Sequence, residues 1–304
     1  MSTTSAPLTT TPAIPVAEKP ASKAKRKLTS PWASLAAVIL AILWTLPTFG
    51  LLVSSFRPPN QIRRTGWWTV FTNPEFTLDN YKAVLSSDDG GAGLGDFFVN
   101  SFIITIPSVV IPVTLAALAA YAFAWIKFPG RDFLFVVVFA LQIVPLQVTL
   151  IPLLTLYVDA DIKGFWPIWL SHSTFALPLA IFILHNFMKE VPAGLLEAAR
   201  IDGAGHVSIF FRVLLPLLRP ALAAFGIFQF LWVWNDLLVA LTFAGGGNTV
   251  APLTVALANL TGTRGTAWHL LSAGAFVSII VPVVVFVSSQ RYFVRGLLAG
   301  SVKG

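Results

Sequence analysis

Six long apolar stretches run along this chain, and each is long enough to cross a lipid bilayer. About 20 helical residues cover the hydrocarbon core of about 30 Å. Only 11% of the residues are charged, against about 25% in soluble domains. We therefore predict an all-α integral membrane protein with six transmembrane helices. The predicted spans are Trp32–Ser55, Phe97–Ile126, Phe133–Tyr157, Trp166–Met188, Ala221–Ala244 and Trp268–Gln290.

Proline residues interrupt several of these spans. They are Pro107, Pro112, Pro145, Pro152 and Pro282. A proline removes one backbone hydrogen bond, and a membrane helix tolerates this where neighbouring helices or water satisfy the freed carbonyl. The pattern favours kinked core helices around a pathway, although the ordinary proline content of membrane helices explains any single one equally well.

The basic residues predict the orientation in the membrane. Most of the 20 Lys and Arg residues lie in the two terminal segments and in the loops after the second and fourth spans. The positive-inside rule therefore predicts that both termini are cytoplasmic. Residues 1–30 are rich in Thr, Ser, Pro and Ala and are expected to be a disordered cytoplasmic tail. The first apolar stretch is too long for a signal-peptide core, so we expect an uncleaved helix.

A polar, charged loop of residues 189–220 separates the fourth and fifth spans. Its pattern predicts two short helices joined by a turn at Gly203, which reverses the chain without a Cβ clash. Pro192 is suited to open the first helix, and Glu197 is expected near its positive N-terminal end. The apolar anchors for a partner outside the membrane are predicted to be Ile209, Phe210, Phe211 and Leu214.

Asp236 is the only acidic residue well inside a predicted span. An ionised carboxylate in mid-bilayer costs about 2.5–3.5 kcal/mol, so it should face protein or water. With Trp234 and Asn235 beside it, three interpretations stay open: a structural hydrogen-bond network, the wall of a wet pathway, or proton coupling. Gln142 is a further candidate for lining a pathway.

The sequence offers no sign of catalysis by this chain. It contains no cysteine, and its four histidines lack metal-ligand spacing. Nucleotide-binding and hydrolase motifs are also lacking. We therefore predict a protein that is not an enzyme and that binds neither a metal nor a cofactor of its own.

Residues 197–216 resemble the EAA motif of permease subunits in binding-protein-dependent ABC importers. The motif residues are Glu197, Ala198, Ala199, Gly203 and Pro216, and Val213 replaces the usual Ile. The likeness to the maltose-type carbohydrate branch extends to residues 118–132, 232–241 and 291–304. Residues 54–71 are similar to the α-glucoside subset. The resemblance implies a type I permease domain over residues 31–296 and a cytoplasmic C-terminal tail over residues 297–304.

The resemblance also implies roles and partners. The loop 189–220 would hold a coupling helix in a cleft of an ATPase, with contacts from the EAA residues, Asp202 and Gly203. The tail residues Gly300, Ser301, Val302, Lys303 and Gly304 would insert between two ATPase subunits. Further expected partners are a second permease, an extracytoplasmic sugar-binding protein, the sugar and membrane lipid, without nucleic acid. ATP and Mg would be bound by the ATPase.

The expected function is import of an oligosaccharide or α-glucoside across a bacterial inner membrane. Three alternatives stay open. The chain would otherwise be an ABC permease for another small solute, an ion-coupled secondary transporter, or a membrane scaffold that transports nothing.

Overall fold

The computed structural model describes residues 31–86, 93–244, 249–260 and 267–299, and all regular structure in these ranges is helical. Five helices are long and apolar enough to cross a membrane: α1 (Pro31–Ser55), α4 (Leu94–Trp125), α7 (Trp166–Lys189), α9 (His206–Trp234) and α12 (Trp268–Ala299). A bent pair is apolar enough to count as a sixth span if it crosses as one unit: α5 (Arg131–Ala140), a 3₁₀ turn (Leu141–Ile143) and α6 (Leu146–Asp159). The shorter helices are α2 (Pro59–Arg64), α3 (Asp79–Leu85), α8 (Ala193–Ile201), α10 (Leu238–Phe243) and α11 (Leu253–Leu260). The predicted all-α membrane fold is confirmed.

The third span is broken. We predicted one helix over Phe133–Tyr157, but α5 and α6 meet at an angle of 101°. Pro145 lies at the bend, directly before α6, and Val144 is extended with a ψ of 118°. A proline disfavours helical geometry in the residue before it, so the first helix ends there. The kink at this proline is confirmed, whereas the prediction of one continuous helix is wrong.

The fifth span also differs from the prediction of Ala221–Ala244. Helix α9 begins at His206 and ends at Trp234, and α10 follows as a separate helix. At 1.5 Å per residue its 29 residues measure about 43 Å, so part of it projects beyond the hydrocarbon. The loop 189–220 therefore contains one short helix and the start of a long one, not two short helices.

Two polar side chains explain why α9 ends where it does. The amide of Asn235 donates to the carbonyl oxygen of Leu231 at 2.7 Å. The carboxylate of Asp236 accepts from the backbone N–H of Ala240 at 3.1 Å and so caps α10. Such side chains compete with the helix for its backbone groups. Asp236 thus lies in a break between two helices, not inside a helix as predicted.

Helices α4 and α7 form the central pair of the chain. Their contact contains the buried small residues Ala116, Ala117 and Ala120 from α4, and Ala176 and Ala180 from α7. Small side chains allow two membrane helices to approach closely, which is how helices associate without a hydrophobic driving force from water. This pair is the scaffold on which the loop 189–220 is packed.

The segment between α1 and α4 is folded around a buried arginine. Arg57 is 1% exposed, and its guanidinium donates to the hydroxyl of Thr69 at 2.8 Å and to the carbonyl oxygen of Asn73 at 3.3 Å. Asn80 donates to the carbonyl oxygen of Arg57 at 2.8 Å. These neutral acceptors offset the burial of a charge. Residues 56–86 therefore form an ordered structure.

The two predicted tails fall largely outside the described residues. Residues 1–30 and the five tail residues Gly300, Ser301, Val302, Lys303 and Gly304 are not among them. Helix α12 continues to Ala299, which is past the predicted end of the span at Gln290 and inside the predicted tail.

Candidate functional site

Helix α8 ends in a glycine turn that reverses the chain. The N–H of Ala204 donates to the carbonyl oxygen of Ala199 at 2.9 Å, and the N–H of Gly203 donates to that of Arg200 at 3.0 Å. This pair of bonds is the Schellman motif, which needs a left-handed residue at the position of Gly203. The φ of Gly203 is +81°. The predicted turn is therefore present, and its requirement for glycine comes from the backbone.

Among the described residues, the space beside Gly203 is open. A Cβ built on Gly203 has no described atom within 4 Å. The residue is also exposed. None of the described residues therefore requires a small side chain at this position, and the positive φ is the one restriction that they show.

One face of the loop 189–220 is anchored in the protein core. Leu196 of α8 is 1% exposed, and it packs in the same cluster as Ile209, Phe210 and Leu214 at the start of α9. We had predicted these three α9 residues as anchors for a partner, and this is wrong because their side chains point into the chain. Phe211, the fourth predicted anchor, is 56% exposed.

The opposite face presents apolar side chains to the outside. Ile201 is 86% exposed and Val207 is 73% exposed, one on each side of the turn at Gly203. The sequence analysis did not single out either residue. Helix α8 carries apolar residues on two faces, with Leu196 inward and Ile201 outward, and a pattern alone does not tell which face meets a partner. Exposed apolar residues grouped in a polar, charged loop are typical of an interaction site.

The EAA residues lie on this exposed helix. Glu197 and Ala198 are exposed, and Ala199 is half-buried. Helix α8 begins at Ala193, so Glu197 is its fifth residue, and the first turn holds no acidic residue. The expectation that Glu197 lies at the positive end of the helix is therefore wrong. Its carboxylate is instead available in the middle of the exposed face.

Helix α9 starts with an unusual stretch. Residues Ile209–Leu214 are π-helical, and Pro216 follows directly after Leu215. A proline has no N–H to bond to the carbonyl four residues earlier, and a wider π turn is one way to continue past such a gap. Pro216, a predicted EAA residue, is half-buried. Its place in the structure is to shape the first turns of α9.

A hydrogen bond ties the loop 189–220 to α4. The hydroxyl of Tyr121 lies 2.7 Å from Nδ1 of His206, the first residue of α9. The Tyr121 ring also lies 5.5 Å from the ring of Phe210. Helices α4, α7 and α8 and the start of α9 therefore share one packed core.

The residues around the end of α9 have distinct environments. Trp234 is 3% exposed, packs against Phe102 at 4.9 Å and donates its indole N–H to the carbonyl oxygen of Ser278 at 3.2 Å. Asp236 lies 3.9 Å from Nε2 of His172. Asn235 is exposed. The structural interpretation of Asp236 has geometric support from its capping bond, while a pathway role for these residues remains a prediction.

A cavity of about 480 Å³ opens at the break between α5 and α6. Gln142, the remaining predicted pathway residue, lines it; Trp234, Asn235 and Asp236 do not. The other polar residues in its wall are Gln147, Thr149, His172, Thr174 and Gln229. Its aromatic residues are Phe175, Phe225, Phe228 and Trp232. The volume is in the range of small-molecule sites.

A family match covers most of the membrane-spanning part. Residues 112–298 match the family described as binding-protein-dependent transport system inner membrane component. The matched range includes the loop 189–220, the central helix α7 and the cavity.

The chain is also similar to individual permease proteins of transport systems. The chain is 52% identical to the osmoprotective compounds uptake permease protein GgtD of Synechocystis sp., over 88% of this chain and 91% of that protein. It is 40% identical to the alpha-glucoside transport system permease protein AglG of Rhizobium meliloti, over 90% of this chain and 97% of that protein. Among solved structures, a chain of a bacterial ABC transporter involved in the import of alginate matches with a TM-score of 0.67 and 20% identity, over 91% of this chain and 99% of that chain. At 20% identity, the similarity to the alginate transporter chain shows a shared fold and no more.

Proposed function

Because the chain belongs to the family of inner membrane components of binding-protein-dependent transport systems, we propose that it is the permease subunit through which a separate ATPase drives import of a neutral glycoside. It is a multi-pass membrane protein. The observation that carries the proposal is the two-sided loop 189–220. One face is locked into the core through Leu196, and the other exposes Ile201, Val207 and Glu197.

This arrangement suits a joint between two proteins. The exposed apolar pair Ile201 and Val207 provides the contact area, and the glycine turn between them lets a partner backbone come close. Glu197 is placed to meet a basic residue of the ATPase. Asp202 and Ala198 complete the proposed contact surface. The C-terminal residues 300–304 are proposed to reach between two ATPase subunits.

Motion of the joint would reach the spans through shared packing. Leu196, Phe210 and Leu214 pack with α4 and α7, and Tyr121 bonds to His206. Nucleotide shifts the transporter between inward-facing and outward-facing states only if ATP and the loaded binding protein bind one state better than the other. ATP and Mg are bound by the ATPase, and this chain transmits the motion of the ATPase to the membrane spans.

The loop 189–220 must then face the cytoplasm, together with both termini. The chain contains no cysteine, so single cysteines report sidedness without background. A cysteine at Val207 is expected to react with an impermeant maleimide only in inverted vesicles, and one at Phe71, which is 76% exposed between α1 and α4, only in intact spheroplasts. The opposite labelling pattern would overturn the orientation.

The proposed cargo is an oligosaccharide or α-glucoside delivered by an extracytoplasmic binding protein, and a second related permease completes the pathway. The name of the alpha-glucoside relative supports this cargo. The name of the osmoprotectant relative supports a second candidate, another small solute carried by the same mechanism.

Copurification and uptake test the proposal together. A tagged chain expressed with its neighbouring transport genes is expected to bring down an ATPase and a second permease. Uptake of ¹⁴C-trehalose or ¹⁴C-sucrose should stop when ATP is depleted while the proton gradient is maintained. Uptake that follows the ion gradient instead would show a secondary transporter, and purification of the chain alone would favour a scaffold.

A further inference from the structure

The cavity at the broken third span lies beside the middle of helix α7. Its α7 wall includes Thr174 and Leu179. At 1.5 Å per residue these positions lie about 12 and 20 Å from the start of α7, a helix of about 36 Å. A cavity in the middle of a span, next to a break in another, is where membrane transporters place a cargo site.

One wall of the cavity is an aromatic row on α9. Phe225, Phe228 and Trp232 follow one another at intervals of three and four residues, which places them on one helix face. The ring of Phe228 lies 6.3 Å from that of Phe225 and 5.8 Å from that of Trp232. Trp232 is 48% exposed. In the described residues its indole N–H forms no hydrogen bond, so ring and donor are both available.

Beside two threonines and His172, the cavity wall carries three neutral amides. Gln142 and Gln147 lie at the break between α5 and α6, and neither side chain forms a hydrogen bond within the described residues. Gln229 on α9 uses one amide hydrogen for the carbonyl oxygen of Ser108 at 3.3 Å. Each amide group offers two donors and an acceptor. Asp236 lies near His172 but outside the cavity wall.

This combination selects a class of ligand. None of the described residues in the wall is Asp, Glu, Lys or Arg, and an ionised ligand would lack a counter-charge at mid-membrane. A purely apolar ligand would leave the glutamine amides unpaired. A sugar fits both conditions, since its C–H faces pack on aromatic rings and its hydroxyl groups exchange hydrogen bonds with amides.

We propose that the cavity between the broken third span, α7 and α9 is a cargo-binding site of this chain itself, which takes a neutral glycoside with Trp232 and Phe228 as the stacking surface and Gln142 as a hydrogen-bonding group. This rests on the proposed function. Several wall residues are largely exposed in the chain alone, Ile143 at 80%, so the second permease closes the site.

The test uses the complete importer in proteoliposomes, with its ATPase, second permease and binding protein. Trp232→Ala and Gln142→Ala are compared with Trp268→Ala, which removes a tryptophan of similar exposure (55%) outside the cavity wall. The maximal rate of ¹⁴C-trehalose uptake is expected to fall about tenfold or more in the two cavity variants, as for loss of one specific contact in a pocket. Trp232→Phe should recover most of the rate because a ring remains.

ATP hydrolysis stimulated by the binding protein separates a cargo site from a folding defect. We expect it to stay within about twofold of wild type in the cavity variants, since the coupling surface is intact. Uptake within about twofold of wild type in both alanine variants would overturn the cargo site, and so would an equal loss of uptake and ATP hydrolysis. Absence of ATP-driven uptake of trehalose and sucrose by the wild type would instead overturn the proposed function.

Discussion

Replacement of Gly203 tests the coupling joint most directly. Its φ of +81° is in the left-handed region, where an L-residue with a Cβ pays about 1–2 kcal/mol. That penalty corresponds to a factor of about 5–30 in the population of the turn. A whole domain is stable by about 5–15 kcal/mol. Gly203→Ala should therefore leave the protein folded and inserted while it disturbs the orientation of α8 relative to α9.

Two further variants distinguish the effect of the backbone conformation at residue 203 from that of a close contact with the ATPase. Asn tolerates the left-handed conformation better than Ala, and a Cβ at this position meets no described atom within 4 Å. If only φ matters, Gly203→Asn should work better than Gly203→Ala. If an ATPase approaches closely, Asn and Asp should both abolish uptake. Gly194→Ala, in the open first turn of α8, is the matched control.

The assay is ATP-dependent uptake of ¹⁴C-trehalose, normalised to the amount of permease in the membrane. We expect at least about tenfold lower uptake for Gly203→Asp at an unchanged membrane level, and wild-type uptake for Gly194→Ala. Wild-type uptake by well-expressed Gly203→Asp would refute the proposed close contact at the joint. Loss of membrane insertion would show that the turn is needed for folding instead.

Three further predictions concern the same joint. Ile201→Asp should reduce ATPase binding about 10- to 100-fold, because an Ile that becomes buried against the ATPase contributes about 1.5–3 kcal/mol to binding. Ile201→Val should retain the binding. Equal copurification of the ATPase with the two variants would exclude this contact. Tyr121→Phe removes a hydrogen bond of about 0.5–1.5 kcal/mol and should lower the amount of uptake per ATP hydrolysed. Tyr157→Phe is the control, because the Tyr157 hydroxyl accepts from Ser171 away from the loop, and it should not lower this ratio. Equal ratios of uptake to ATP hydrolysis in the two variants would contradict a role for the Tyr121–His206 bond in coupling. Deletion of residues 297–304 should alter ATPase control without loss of the membrane fold, and normal regulation of hydrolysis and transport by the truncated protein would count against a role for the tail.

Hydropathy located the spans but did not show where a span is broken. The expected positions of α1, α4 and α7 agree with the structure to within a few residues, since about 20 apolar residues have few alternatives in a bilayer. Pro145 was one of five prolines that favoured kinks as a group, without being singled out, and the angle of 101° between α5 and α6 depends on what packs around it.

The two-sided loop shows a similar limit. Its glycine turn was predictable because glycine is the residue that adopts the left-handed conformation most readily, whatever surrounds it. The direction of its apolar residues was not, since Ile209, Phe210 and Leu214 face inward and Ile201 faces outward. Both sets are apolar, and only the position of α4 and α7 decides which set is covered.

The sequence by itself therefore determined the membrane class and the glycine turn in the loop 189–220. These properties follow from local quantities, namely the transfer of apolar residues into lipid and the backbone freedom of one residue. Tertiary structure decided which face of the loop is covered by the core, and that Gln142 and Trp232 line one cavity. Those properties depend on contacts between residues far apart in the chain, which no local pattern encodes.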